Sequence, residues 1–139
     1  MRLLLDTNII LDIGLKREPF YKDSADVFTK IDNKTTFGFV TATTITDIYY
    51  IAKKDKGHSL AIEFIGNLIQ FVDLIGIDKG IIIEALSSNL TDFEDSIQSI
   101  ASSYNGIDFI ITRNTKDFKN SSIKALSPVN FLRLINKKK

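Results

Sequence analysis

The chain has 139 residues, 44% of them hydrophobic and 25% charged, a balance typical of one folded domain with a single core. It has no cysteine, which excludes disulfides, thiolate metal sites and a cysteine nucleophile. The net charge of +1 gives no strong electrostatic footprint for nucleic acid. Asp6 and Asp12 interrupt the apolar N-terminus before it reaches the length of a signal peptide or membrane span. We therefore expect a single domain over residues 1–139, in the cytoplasm.

Apolar and β-branched runs alternate with helical periodicity along the chain. In chain order, the pattern predicts a strand at 3–5, a helix capped by Thr7, a helix at 22–32, a strand at 36–42, helices at 44–54 and 59–69, a strand at 71–77, a helix near 79–88, a helix starting with the capping-box pair Thr91 and Glu94, strands at 107–112 and 123–126, and a helix from Pro128. Strands that alternate with helices imply a parallel sheet covered on both faces.

Acidic residues stand where predicted strands end or helices begin. Asp6 closes the first strand, while Asp47 and Asp95 lie in the first turns of two helices. Ligands of open α/β sheets bind outside the carboxyl ends of the strands. Carboxylates that converge there without cations would repel one another, and Mg²⁺ or Mn²⁺, which prefer oxygen ligands, would relieve that repulsion. Such a metal activates water for attack on phosphorus, so no histidine or covalent nucleophile is required.

Each acid also has a structural interpretation. Asp6 is able to cap the helix that starts at Thr7, and Asp47 to favour a helix start through the dipole. Glu94 is explained as the capping-box partner of Thr91, so it is left out of the predicted site. Asp95 is surplus to capping, and only the combination of acids favours a metal site.

Four segments together make the sequence recognisable. They are LLLDTNIILDI at 3–13, TATTITDIYYI at 41–51, DFEDSIQSIAS at 92–102 and GIDFIITRNTKDF at 106–118. Their order and spacing resemble the PIN-domain ribonucleases, a family that includes the VapC-type toxins, over nearly the whole chain. The resemblance implies a three-layer α/β/α fold with about five parallel strands between helices. It also implies an Mg²⁺- or Mn²⁺-dependent endoribonuclease with RNA as substrate, and a toxin role with a cognate antitoxin as partner.

The resemblance assigns roles to individual residues. Asp6, Asp47 and Asp95 match the metal-binding acids, although the family usually has a glutamate at the position of Asp47. Asn114 stands where many members have a fourth aspartate, and Asp117 is expected to take over part of that catalytic role.

Further positions match the surroundings of the family's site. Asn8 and Thr112 match polar residues that shape the pocket floor. Arg113, Lys116 and Lys119 follow the strand that delivers Asn114, so we expect them to contact the RNA backbone.

Two features lie away from the acids. Phe20 and Tyr21 are apolar residues expected at the surface, where they offer a contact for a homodimer. The lysine run at 137–139 is interpreted as solvated surface.

Two other function classes compete with an active nuclease. A PIN-like module that binds RNA or protein without cutting is left open by Asp47 and Asn114. Phosphoaspartate enzymes fit less well, because the haloacid dehalogenase pattern requires an aspartate where this chain has Asn8. A response-regulator receiver requires a close acidic pair, and Asp6 and Asp12 are too far apart for that.

Overall fold

The structure, a computed structural model, describes residues 1–137, so Lys138 and Lys139 of the predicted lysine surface lie outside the described residues. The strands are β1 (Arg2–Leu5), β2 (Phe37–Thr41), β3 (Val72–Ile75), β4 (Phe109–Ile111) and β5 (Ala125–Leu126). The helices are α1 (Thr7–Gly14), α2 (Tyr21–Asp32), α3 (Ala42–Lys56), α4 (His58–Leu68), α5 (Lys79–Leu86), α6 (Phe93–Tyr104) and α7 (Pro128–Lys137), with a 3₁₀ helix at Thr115–Phe118.

The five strands form one parallel sheet in the order β3-β2-β1-β4-β5. Strand β1 is central, and Leu4 pairs with Phe39 of β2 on one side and with Ile110 of β4 on the other. The strand order reverses at β1, so the carboxyl ends of β1, β2 and β4 surround a topological switch point. The predicted parallel sheet is confirmed.

Hydrophobic residues cover both faces of the sheet. Leu3 and Leu5 of β1 pack in one core cluster with α1, α2 and α7, whereas Leu4 packs in a second cluster with α5 and α6. Successive residues of a strand point to opposite faces, so an uninterrupted apolar run is what a doubly covered strand requires. The fold is therefore the three-layer α/β/α arrangement expected from the sequence.

Several predicted boundaries differ from the structure because neighbouring groups compete for them. Helix α1 is capped by Asp6 and not by Thr7, since Asp6 Oδ1 accepts a hydrogen bond from Thr7 N at 2.8 Å. Helix α3 starts at Ala42, where Thr41 Oγ1 accepts from the backbone N of Thr44. Strand β4 starts only at Phe109, because Ile107 N still bonds to a carbonyl at the end of α6.

No helix within residues 1–137 combines the length and the apolar character required to cross a membrane.

Candidate functional site

Asp6 lies at the carboxyl end of β1 and is only 8% exposed. Its Oδ1 accepts hydrogen bonds from Thr7 N at 2.8 Å and from Gln98 Nε2 at 3.3 Å. Its Oδ2 accepts from Thr112 Oγ1 at 2.7 Å and from Asn8 Nδ2 at 3.4 Å. Four donors therefore hold this carboxylate in one orientation, and each bond is strengthened by the charge of the acceptor.

The residues predicted to shape the pocket floor contact Asp6 directly. Thr112, at the end of β4, donates to Asp6 and at the same time accepts a hydrogen bond from Asn114 N at 3.0 Å. Asn8, in the first turn of α1, donates its amide to the same oxygen, Asp6 Oδ2. The ends of β1 and β4 are thus joined through side chains as well as through the sheet.

The capping box predicted at the start of α6 is wrong. The helix begins at Phe93, and its cap is Asp92, whose Oδ1 accepts from Asp95 N at 2.9 Å. Thr91 lies outside the helix. Two adjacent residues were both suitable caps, and the aspartate, which also gains from the helix dipole, takes the position. Glu94 is therefore without the capping role that excluded it from the predicted site.

Glu94 instead faces the predicted acids. The pKa of Glu94 is raised to about 8, first by burial and then by the neighbouring carboxyl of Asp47 and the charge of Asp6. Asp47 itself stands in the second turn of α3, beyond the reach of any capping role. The structure therefore brings α3, α6 and the end of β1 together around carboxylates, and it adds Glu94 to those named from the sequence.

Asp95 belongs to the same acidic group. The pKa of Asp95 is raised to about 7, first by burial and then by the charges of Asp92, Asp6 and Asp117. Like charges that share a site disfavour ionisation of one another. The effect of Asp117 on Asp95 also places the 3₁₀ helix after β4 within electrostatic reach of α6.

The group fits Mg²⁺ or Mn²⁺ by donor type, because it consists of carboxylate oxygens that repel one another without a cation. Asp6, Asp47, Glu94 and Asp95 are the residues able to hold such an ion. Over residues 1–137, no three Asp, Glu, His or Cys side chains are already grouped at the spacing of a metal's ligands. The site therefore suits Mg²⁺ or Mn²⁺ by its donor atoms and by its concentration of negative charge. To bind the ion, the carboxylates would have to move closer together.

Gln98 is a site residue that the sequence analysis missed. It is 1% exposed and lies three residues after Asp95 and four after Glu94, so the three side chains share one side of α6. Its Nε2 donates to Asp6, while its Oε1 has no hydrogen-bond partner. The helical spacing from Asp95 was the signal available in the sequence.

Four of the predicted site residues lie in the segment that follows β4, and all four are exposed. Asn114 is exposed at the carboxyl end of this strand, and Asp117 lies in the 3₁₀ helix that follows. Lys116 and Lys119 are exposed, and neither takes part in an ion pair within the described part of the chain. Both lysines are therefore available to solvent beside the acidic group.

Arg113 is held by the protein itself. Its Nε lies 2.7 Å from Asp12 Oδ2 and its Nη2 3.2 Å from Asp12 Oδ1, and Asp12 is completely buried. The guanidinium also stacks over the ring of Phe20, 4.0 Å from the ring centre. Phe20, expected to be available for a dimer, thus has a partner within its own chain, and Tyr21 is only half-exposed. The role of Asp12 was not visible from the sequence.

We expect the metal-free protein to lose stability as the pH rises from about 5 to 8. A carboxyl with a raised pKa binds its proton more tightly in the folded state. The stabilisation from this bound proton is complete below the pKa of the unfolded state. It is lost as the pH rises through the folded-state pKa, which is about 7 for Asp95 and about 8 for Glu94. Asp95→Asn and Glu94→Gln should therefore raise the free energy of unfolding at alkaline pH by roughly 0.5–2 kcal/mol, with no gain at acidic pH.

Urea unfolding in EDTA across this pH range measures the effect. Asp73→Asn, which changes an exposed acid on the edge strand β3, is the control and should follow the wild type. Mn²⁺ should raise the melting temperature of the wild type by mass action, and less so that of Asp95→Asn. Parallel pH profiles for all four proteins would contradict a shared acidic site.

A sequence model of the PIN domain matches residues 2–116, which is most of the chain. No curated protein matches significantly.

Solved structures share the fold at low sequence identity. VapBC2 from Rickettsia felis, bound to a DNA fragment from its promoter, superposes with a TM-score of 0.70 at 13% identity, covering 91% of this chain and 98% of that one. A toxin–antitoxin complex from Klebsiella pneumoniae gives 0.68 at 19% identity, covering 91% and 97%. The Sarcin-Ricin loop cleaving toxin VapC20 from Mycobacterium tuberculosis gives 0.64 at 11% identity, covering 78% and 86%. From the match over residues 2–116, the chain belongs to the PIN-domain family, a family of nucleases.

Proposed function

We propose that the chain is a metal-dependent endoribonuclease that hydrolyses RNA phosphodiester bonds, with Asp6, Asp47 and Asp95 as its metal-binding acids. The observation that carries the proposal is the raised pKa of both Glu94 and Asp95 beside the buried carboxylate of Asp6. A protein that keeps several carboxylates in one partly buried place without cations loses stability by doing so. Perturbed acids of this kind are typical of catalytic sites.

Residues of this chain suit the steps of such a hydrolysis. A bound Mg²⁺ or Mn²⁺ supplies a polarised phosphoryl oxygen and a water of lowered pKa. Asp6, held by four donors, keeps its orientation throughout. Glu94 lies beside Asp47 and Asp6, and when a bound cation offsets the charges that raise its pKa, its carboxylate would be suited to accept a proton from the water that attacks phosphorus. We propose that Asn114 and Asp117, in the segment that follows β4, orient that water or the substrate.

RNA is the proposed substrate, and residues after β4 are the proposed contacts to its backbone. Lys116 and Lys119 are exposed and make no ion pair within residues 1–137, which supports a contact with phosphates. Arg113 is proposed to add its charge to this surface while it remains bound to Asp12. We propose that residues 1–139 form one nuclease domain that acts in the cytoplasm.

A toxin role with an antitoxin partner is part of the proposal. Its support comes from solved neighbours that are themselves toxin–antitoxin complexes, from Rickettsia felis and Klebsiella pneumoniae, and from a neighbour described as a Sarcin-Ricin loop cleaving toxin. A homodimer remains a prediction, which the molar mass in solution would test.

Cleavage that depends on the metal is the test of the proposed function. End-labelled RNA, structured and unstructured, is incubated with the purified protein in Mg²⁺, in Mn²⁺ or in EDTA. We expect internal cuts with either metal, none in EDTA, and recovery when excess metal is restored. RNA that is bound but left intact in Mn²⁺ would instead favour the non-cleaving binding module. Asn114 is compatible with such a module, because its side chain carries no charge.

A further inference from the structure

The carboxyl edge of the sheet continues past the acidic group into a cavity of about 320 Å³. The cavity lies between the start of α2, the loop after β4 and the start of α7, and its walls include Phe20, Asp23, Ser24, Arg113, Asn114 and Ser127. Its volume is at the lower end of the range of small-molecule sites. Arg113 and Asn114 of its lining follow β4, and β4 is the direct neighbour, at about one strand spacing of ~5 Å, of the strand β1 that ends at Asp6.

One wall of the cavity is a flat stack. The guanidinium of Arg113 lies 4.0 Å from the ring centre of Phe20, and Phe20 remains 38% exposed. The ion pair with Asp12 holds the guanidinium in this position. Unstacked bases of single-stranded RNA bind to aromatic rings and to arginine planes in proteins. The stack is therefore ordered in advance for a planar ring.

The same wall carries unused hydrogen-bonding groups. Ser24 is fully buried, and its Oγ has no hydrogen-bond partner. Asp23 is half-buried and makes no ion pair within the described residues. An ionised carboxylate only accepts hydrogen bonds, so Asp23 favours a ring whose edge donates.

We infer that this cavity binds the base of a nucleotide next to the scissile phosphate and favours guanine there. The ring of guanine stacks on Phe20 and Arg113, and its adjacent N1–H and N2–H₂ donors match the two oxygens of the Asp23 carboxylate. Phosphate contacts carry no sequence information, whereas base contacts do. The inference rests on the proposed function, and it adds that the nuclease prefers RNA with guanine at this position.

Binding to short RNA in EDTA tests the inference without cleavage. Fluorescent hexauridine is compared with the same hexamer carrying one central guanine. The wild type should bind the guanine form about tenfold more tightly, as one bidentate base contact predicts. Asp23→Asn should bring this ratio close to one. Phe20→Leu, which keeps an apolar side chain but removes the ring, should weaken the guanine hexamer about tenfold.

Two control variants separate the base contact from general effects. Asp26→Asn changes an acid of the same helix that pairs with Lys22 at the surface, and it should leave the ratio unchanged. The double variant Lys116→Ala, Lys119→Ala should weaken both hexamers equally, because these lysines are proposed to contact phosphates.

The outcomes for the base pocket and for the nuclease are distinct. A wild-type ratio near one, or an equal ratio in the wild type and Asp23→Asn, overturns the base pocket. A guanine preference in EDTA that Asp23→Asn removes supports the pocket. This support for the pocket holds even if the wild type does not cut RNA in Mn²⁺. The lack of cleavage would contradict only the proposed nuclease activity.

Discussion

Asp95→Asn is expected to lower the rate of RNA cleavage by at least about 100-fold. Changes to groups that merely orient metal ligands cost about 10–100-fold, so the loss of a proposed direct ligand should exceed that range. Asparagine keeps the size of the side chain, and the cap of α6 survives because Asp92 bonds the backbone N of residue 95. Single-turnover kinetics with enzyme in excess, in saturating Mn²⁺, measure the change in the cleavage step.

The controls for this measurement separate chemistry from folding and from RNA binding. Asp73→Asn, on the edge strand β3, should cleave at the wild-type rate. Asp95→Asn should bind RNA in EDTA at least as tightly as the wild type, because it removes a negative charge from the site. A wild-type rate for Asp95→Asn would contradict its role as a metal ligand. Cleavage that persists both in this variant and in EDTA would point to a contaminating nuclease and overturn the proposed function.

Asp6→Asn should also abolish cleavage, but for two reasons at once. Asparagine brings an NH₂ group into a place where Thr7 N, Asn8 Nδ2, Gln98 Nε2 and Thr112 Oγ1 all donate. The variant therefore loses hydrogen bonds as well as charge, and a buried donor left unpaired costs about 1–3 kcal/mol. Asp95→Asn is for that reason the sharper test of metal binding.

The fold follows closely from the hydrophobic pattern. The apolar run from Leu3 to Leu5 has no polar residue to mark a solvent face, which is what a central parallel strand requires, and it ends at Asp6. The alternation of such runs with helical periodicity predicts the parallel sheet, and the carboxyl edge of that sheet is where Asp6 and Asn114 were expected to meet.

The composition of the acidic group was less accessible to sequence reasoning. Thr91 and Asp92 are adjacent, and both residue types cap helices well. The choice of Thr91 assigned Glu94 to a capping box and removed it from the site. In the structure Asp92 caps α6, and Glu94 faces Asp47 instead. A shift of one residue in a helix start was enough to change the proposed function of a side chain.

Contacts between distant parts of the chain were not predictable from local patterns. Asp12 occupies a helix with Ile9, Ile10 and Leu11, and nothing near it in sequence indicates a partner. Its partner is Arg113, 101 positions later. Such a pairing depends on how β1 and β4 lie side by side, which only the folded structure shows. Arg113 was accordingly interpreted as a contact to RNA alone.

Arg113→Met is expected to lower the free energy of unfolding by about 3–5 kcal/mol, the range for breaking a buried ion pair by removal of one partner. Asp12 is completely buried, so the variant leaves a carboxylate that water cannot reach. The double variant Asp12→Leu, Arg113→Met replaces both charges by apolar groups and should recover most of the loss. Urea unfolding at neutral pH gives the three free energies.

Arg133→Met is the matched control, because Arg133 is exposed on α7 and pairs with no acid within residues 1–137. Its effect should stay within about 0.5 kcal/mol. The ion pair joins the segment that follows β4 to the helix that follows β1, so its loss should also loosen the two strand ends that carry Asn114 and Asp6. The double variant then separates two roles of Arg113. If the double variant regains stability but not RNA affinity, Arg113 contacts RNA in addition to its ion pair with Asp12. If the double variant regains both stability and RNA affinity, Arg113 acts only by positioning the site. An unfolding free energy of Arg113→Met within 1 kcal/mol of the wild type would contradict the structural role itself.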